Sequence, residues 1–141
     1  MDTKTLGISG ETTAAAYLES RGFRILHRNL HIGHAEIDLV AENDIFLVFA
    51  EVNTRRQIPG SSAPFGTPAE AVDAKKQAVL VRAAEAYLAE HAPDKFFRID
   101  VIEVYADPHS ADYRVLDVRH FENAVRKNGK FSSKPPKKSH I

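Results

Sequence analysis

Between Phe23 and Thr54 the chain packs three β-rich stretches into quick succession, and this spacing limits the possible folds more than any other feature. Phe23–Leu30, Ala35–Ala41 and Phe46–Thr54 are separated by breaks of only four residues each. Breaks that short close hairpins and leave no room for a crossover, so the three strands must be an antiparallel meander. The first break, His31–His34, turns around Gly33. The second, Glu42–Ile45, contains Asn43-Asp44, a two-residue hairpin signal. The third stretch is apolar on both faces, the mark of a strand buried in the middle of a sheet.

Helices bracket the meander. Gly10 to Arg21 reads as a helix that stops at Gly22. Ala14, Ala15 and Leu18 form its apolar stripe, with Tyr17 beside it, and Glu11 falls on the same stripe. An acid therefore sits at the edge of a buried face. From Arg55 to Thr67 two Pro, two Gly and two Ser predict a loop. Thr67 as N-cap, Pro68 at the first helical position and Glu70 as the capping-box acid then open a second helix, which runs to about His91 and ends before Pro93. Strands follow at Phe96–Tyr105 and about Tyr113–Val118. The order is α-β-β-β-α-β-β. A long helix between the third and fourth strands favours a parallel crossover. The expected architecture is α/β, a mixed central sheet with a helix on each face.

Composition supports one domain over residues 1–125 and a separate tail over 126–141. A chain of 141 residues with 43% hydrophobic and 27% charged residues has the makeup of a globular domain. It has no cysteine, which excludes disulfides and thiolate metal sites. The polar N-terminus lacks the apolar core of a secretion signal, and the longest apolar run, Ile45 to Ala50, is too short to span a bilayer. The expectation is a cytoplasmic protein with no membrane partner. Net charge is zero, but residues 126–141 hold six of the 19 basic residues and no acid, leaving the body at −6 and the tail at +6. The tail has the composition of a disordered segment that folds back on the acidic body or holds a polyanion.

The chemistry-bearing residues lie on the second and third strands. Alternation places Leu47, Phe49, Glu51 and Asn53 on one face. With Asn43-Asp44 at the hairpin tip, Glu36 lies opposite Glu51 and Asp38 opposite Phe49. Asp38 and Glu51 then become diagonal neighbours, roughly 7–8 Å apart at the backbone. Carboxylates gathered on a half-buried face are unfavourable without a cation between them. Lys76 interrupts the core-facing stripe Val72, Val79 and Ala83 of the second helix, and a lysine there has the reach to approach the acids. Its other reading is a stem lying on apolar surface with its head in water. Arg98 and Asp100 share a face of the fourth strand and read as a structural pair. His31 and His34 read as turn residues.

Several ordered segments resemble the YraN family of small bacterial proteins. They are Gly10-Glu11, Tyr17-Leu18, Gly22, Asn29, Glu36-Ile-Asp38-Leu-Val-Ala41, Val48-Phe-Ala-Glu51-Val-Asn-Thr-Arg55, Ala71-Val72 and Lys76-Gln77. The resemblance covers about residues 6 to 122. It implies a restriction-endonuclease-like fold similar to that of the archaeal Holliday-junction resolvases. It also implies a phosphodiesterase site in which Asp38, Glu51 and Glu11 bind Mg²⁺ or Mn²⁺, acting on branched or structured DNA, with a homodimer suiting the symmetry of a junction. Two positions depart from the pattern. The usual Glu-Val-Lys is Glu51-Val52-Asn53, and the Gly before Glu-Ile-Asp is Ala35. Asn supplies a hydrogen bond but no charge. Catalytic residues on this reading are Glu11, Asp38, Glu51 and Lys76, the last standing in for the missing lysine. Arg55 and Arg56, at the start of the loop, read either as phosphate contacts or as solvated residues. Two rivals remain open: a DNA- or RNA-binding module that does not cut, and a protein-interaction module.

Overall fold

The computed structural model describes residues 3–60 and 73–126, with side chains from residue 9 onward. The expected order holds: α1 (Thr3–Ser20), β1 (Arg24–Ile32), β2 (Ala35–Glu42), β3 (Phe46–Arg56), α2 (Ala74–His91), β4 (Phe96–Ala106) and β5 (Val115–Val125). The described strands form one mixed sheet in the order β1-β2-β3-β4-β5. β1, β2 and β3 are the antiparallel meander, β4 runs parallel to β3 from Phe46↔Phe96 to Arg56↔Ala106, and β5 returns antiparallel.

Alternation along β3 divides the core into two layers. Val48 and Ala50 join Leu39, Ile102 and Val104 beneath Ala14 and Leu18 of α1. Leu47 and Phe49 join Ile37, Ile99 and Val101 beneath Leu80, Ala84 and Tyr87 of α2. Each fully buried aliphatic or aromatic side chain here contributes roughly 1.5–3 kcal/mol of transfer free energy. A helix thus covers each face, and a strand that reads apolar on both sides lies in the middle.

Gly10 sets how closely α1 approaches β3. A Cβ built there would lie 1.8 Å from Thr54 Oγ1 and 3.1 Å from its Cβ. Glycine in a helix normally costs stability relative to alanine, but here the close approach reverses the sign. Gly10→Ala is expected to destabilise the fold by about 1–3 kcal/mol. Adding Thr54→Ala should recover part of the loss, as denaturant unfolding of the single and double variants would measure.

Several boundaries differ from the sequence reading: α1 begins at Thr3 rather than about Gly10, and β1 runs to Ile32, so His31 is a strand residue rather than a turn residue. The β2–β3 register is shifted by two residues: Leu39 faces Ala50 and Glu42 faces Leu47. The hairpin tip is therefore Asp44–Ile45, not Asn43-Asp44. The cause is the Asn43 side chain, whose Oδ1 accepts the N–H groups of Ile45 at 2.9 Å and Phe46 at 2.7 Å, while Asn43 N–H donates to the Phe46 carbonyl. Asparagine closes the turn with its side chain instead of occupying the tip. A two-residue shift preserves alternation, so it leaves Asp38 and Glu51 on one face, although Ile37 and Leu39 fall in opposite layers. β3 continues through Arg56, because β4 pairs with it to that point, so Arg55 and Arg56 are strand residues rather than the start of the loop. β5 runs to Val125, well past the expected Val118, carried through an irregularity opposite Asp100. The second helix begins at Ala74, since Asp73 has extended backbone (ψ 165°) and its carboxylate accepts the Lys76 N–H. The capping signal at Thr67, Pro68 and Glu70 lies outside the described residues, as does the tail over 127–141. Among the described residues no helix is long and apolar enough to cross a membrane.

Candidate active site

β2 and β3 are paired from Glu42↔Leu47 to Leu39↔Ala50, where the ladder ends. Extended by one step, this register sets Asp38 opposite Glu51 instead of the diagonal placement expected from sequence. The Asp38 carboxylate takes over from the ladder by accepting the Val52 N–H at 2.8 Å. The fork between the strands thus opens at the two acids, and both carboxyls lie on the same side of the sheet within hydrogen-bond contact of each other.

Burial raises the Asp38 pKa to about 7, and the neighbouring charge of Glu51 adds to it. The bond from Val52 N–H opposes the rise, and Glu11 reinforces it. Near neutral pH Asp38 is therefore about half protonated. Glu51 is almost fully buried and has an ammonium partner, with Lys76 Nζ 2.5 Å from its Oε2. Burial works against the charge on Lys76. Its hydrogen bond to Glu51 and the charges of Glu51, Asp38 and Asp73 outweigh that cost and raise its pKa above the ordinary lysine value. Asp73 also places Lys76, because the cap bond to its N–H holds it in the first turn of α2. The lysine of the sequence reading does point at the acids.

Glu11 comes from α1. Its pKa is raised by burial first, with Glu36 and Glu51 adding to the rise and Asn29 and Arg28 opposing it. The link to Asn29 depends on an irregularity in β1. Asn29 has φ 53°, in the left-handed region that asparagine tolerates better than most residues, and the register passes from Arg28↔Leu39 to Leu30↔Ile37 around it. Arg28 in turn donates to Thr12 Oγ1 at 2.8 Å, tying β1 to α1 beside Glu11.

Three acids therefore share one electrostatic environment. Asp38 and Glu51 are in contact, and Glu11 is coupled to both. Among the described residues no three His, Asp or Glu side chains close into a ready-made metal cage. The donor set itself, carboxylate oxygen in a half-buried fork, is the kind that hard divalent cations take. The lysine-to-asparagine departure also leaves a trace. Asn53, two residues along the face of Glu51, has its Nδ2 buried with no partner among the described residues. Leaving such a donor unsatisfied costs about 1–3 kcal/mol.

Arg55 and Arg56 are less open than the sequence suggested. Arg55 pairs with Glu103 at 3.2 Å, and both side chains are nearly buried. Glu103 also accepts the Tyr105 hydroxyl at 2.7 Å. Arg56 is exposed and donates to the Ser110 carbonyl at 3.0 Å. Glu103 went unnoticed in the sequence, although it lies beside Asn53 in the parallel register. On the α1 side Arg98 and Asp100 pair as expected, with the Arg98 Nε 3.1 Å from both carboxylate oxygens. Two partners were not anticipated. His120 Nε2 lies 2.6 Å from Asp100, and Tyr17 bonds the other ring nitrogen of His120 at 3.0 Å.

A family model, described as uncharacterised protein family UPF0102, matches residues 10–104, which contain all the acids of the fork. A UPF0102 protein of Caldicellulosiruptor saccharolyticus is 38% identical over 125 residues, 88% of this chain and 99% of its own. One from Bacteroides thetaiotaomicron is 44% identical over 114 residues, 81% of this chain and 88% of its own. A third, from Caldanaerobacter subterraneus subsp. tengcongensis, is 41% identical over 109 residues, 77% and 85% of the two chains.

Proposed function

Because this chain belongs to the UPF0102 family, the YraN family its sequence resembles, we propose that it is a divalent-metal-assisted endonuclease of branched or structured DNA. The observation that carries the reading is the contact between Asp38 and Glu51 at the strand fork, with Lys76 Nζ 2.5 Å from Glu51. Two acids forced together in a partly buried site gain from a cation that replaces the proton on Asp38. Asp38 and Glu51 would hold Mg²⁺ or Mn²⁺, with Glu11 completing the set. The ion would supply an acidified water and neutralise charge on the scissile phosphate. The chain's own groups do the rest. Val52 N–H fixes the rotamer of Asp38, and Asp73 fixes the first turn from which Lys76 extends. Lys76 brings the positive charge that Asn53 lacks to the side of Glu51, where it can stabilise a pentacovalent phosphate.

The test is cleavage of four-way junction, flap and single-stranded DNA with Mg²⁺ and with Mn²⁺. The expected result is product from the native protein, none from Glu51→Gln, and a rate about a hundredfold lower for Lys76→Ala. Asn53→Lys should raise the rate. Product from Asn53→Lys with none from the native protein would overturn native cutting. It would favour the rival reading, to which the Asn53 amide, unpartnered among the described residues, lends support: a nuclease-like site that binds DNA without hydrolysing it.

A further inference from the structure

Among the described residues, cavities open on the α2 side of the sheet near each end of that helix. The first, about 360 Å³, lies at the acids and is lined by Glu36, Asp38, Lys75 and Lys76, with His34 at the hairpin beside them. The second, about 230 Å³, lies between β1 and the last turns of α2 and is lined by His27, His31, Tyr87, Glu90 and His91. Leu80 borders the first and Tyr87 the second. From Lys76 to His91 the helix rises over fifteen residues, about 22 Å. Roughly six nucleotides of one strand cover that span, at about 3.4 Å each.

The walls of the second cavity are rings. The His91 imidazole stacks on Tyr87 with centroids 4.0 Å apart and planes 20° apart, and His27 meets the same ring edge-on at 5.8 Å. His91 Nδ1 lies 3.0 Å from the Tyr87 carbonyl. A carbonyl only accepts, so Nδ1 carries the proton and donates, and the imidazole is pinned in one orientation. His91 itself is exposed, so its outer face is a flat, preoriented platform open to solvent.

We propose that the groove between α2 and β1–β2 seats a single nucleic-acid strand, with one unpaired base stacked on His91 while the backbone runs to the acids and Lys76. This deepens the nuclease reading and rests on it for the identity of the ligand class. A platform of this kind needs a base with a free face, which a paired and stacked base in a duplex does not offer. A branch point or flap presents both a splayed strand and an adjacent phosphate.

The experiment measures fluorescence anisotropy of a labelled oligothymidine strand, and of the same strand annealed to its complement, against the full chain with Ca²⁺ as the hard cation. His91→Ala should weaken single-strand binding about tenfold, the loss of one stacked base, and leave duplex binding unchanged. His91→Phe should restore the single-strand affinity, which separates stacking from imidazole charge. Equal loss on duplex, no loss on the single strand, no rescue by Phe, or no single-strand binding by the native protein would each overturn the groove. The nuclease reading fails separately. A native protein that cuts nothing but shows the His91 pattern keeps the groove and loses catalysis.

Discussion

Asp38→Asn should eliminate metal-dependent cleavage and at the same time make the metal-free protein melt several degrees higher at pH 8. The two effects have one cause. The folded-state pKa of Asp38 is raised from 3.8 to about 7, chiefly by burial and then by Glu51. Between those values the native state binds a proton that the unfolded chain does not, so stability falls as pH climbs from about 4 to about 7. Above that window the penalty is fully present. The asparagine amide carries no charge to desolvate, and its oxygen can still accept the Val52 N–H. It should recover about 2 kcal/mol at pH 8, several degrees in a domain of this size. At pH 5 the native carboxyl is already protonated and the two proteins should melt nearly together. Mn²⁺ should raise the melting temperature of the native protein and leave the variant unmoved. A lower melting temperature for Asp38→Asn at pH 8 would mean the carboxylate stabilises the fold, and the strained pair at the fork would not exist.

The sequence carried the fold because its strongest signals were local. Breaks of four residues allow only hairpins, and the long connection ending in α2 forces a parallel return. Face assignments survived a register error, since a two-residue slip preserves alternation. For that reason Asp38 and Glu51 were placed on the correct face but at the wrong separation. The error came from Asn43, whose residue type fits a turn tip and a side-chain-closed turn equally well. What stayed hidden was set by tertiary contact. Nothing local tells that Asn29 takes a left-handed conformation and reaches Glu11. No spacing rule joins Tyr17, Asp100 and His120, residues from α1, β4 and β5. Arg55 read as loop cation because its partner Glu103 lies on a strand almost fifty positions away. Lys76 was legible because interruption of a helical stripe by a single lysine is itself a pattern. Where that lysine points is a matter of packing.

Asp100→Ala should produce the largest loss of stability of any single substitution considered, about 3–5 kcal/mol. Asp100 is wholly buried. Arg98 donates to both of its oxygens, His120 Nε2 lies 2.6 Å from one, and Asn123 N–H donates to the other at 2.9 Å. The last bond holds an irregularity in the sheet. The β4–β5 register shifts between Ile99↔Val125 and Val101↔Phe121, and Asn123, at φ 57°, lies in the extra length. A backbone N–H released from the ladder by such a bulge needs another acceptor, and the carboxylate supplies it. Alanine would leave the Arg98 guanidinium, 4.5 Å from the Phe46 ring and nearly buried, with only the exposed Glu122 carboxylate at 3.6 Å as counter-charge. Asp100→Asn keeps an acceptor and should lose less, and Tyr17→Phe, at the far end of the chain of bonds, about 1 kcal/mol. Urea unfolding of the three variants would rank them. A domain of this kind has a net stability of about 5–15 kcal/mol, so the alanine variant should give up a large share of it. If instead Asp100→Ala unfolds at the native urea midpoint, the buried pair contributes nothing net, and the bulge in β5 must be held by packing alone.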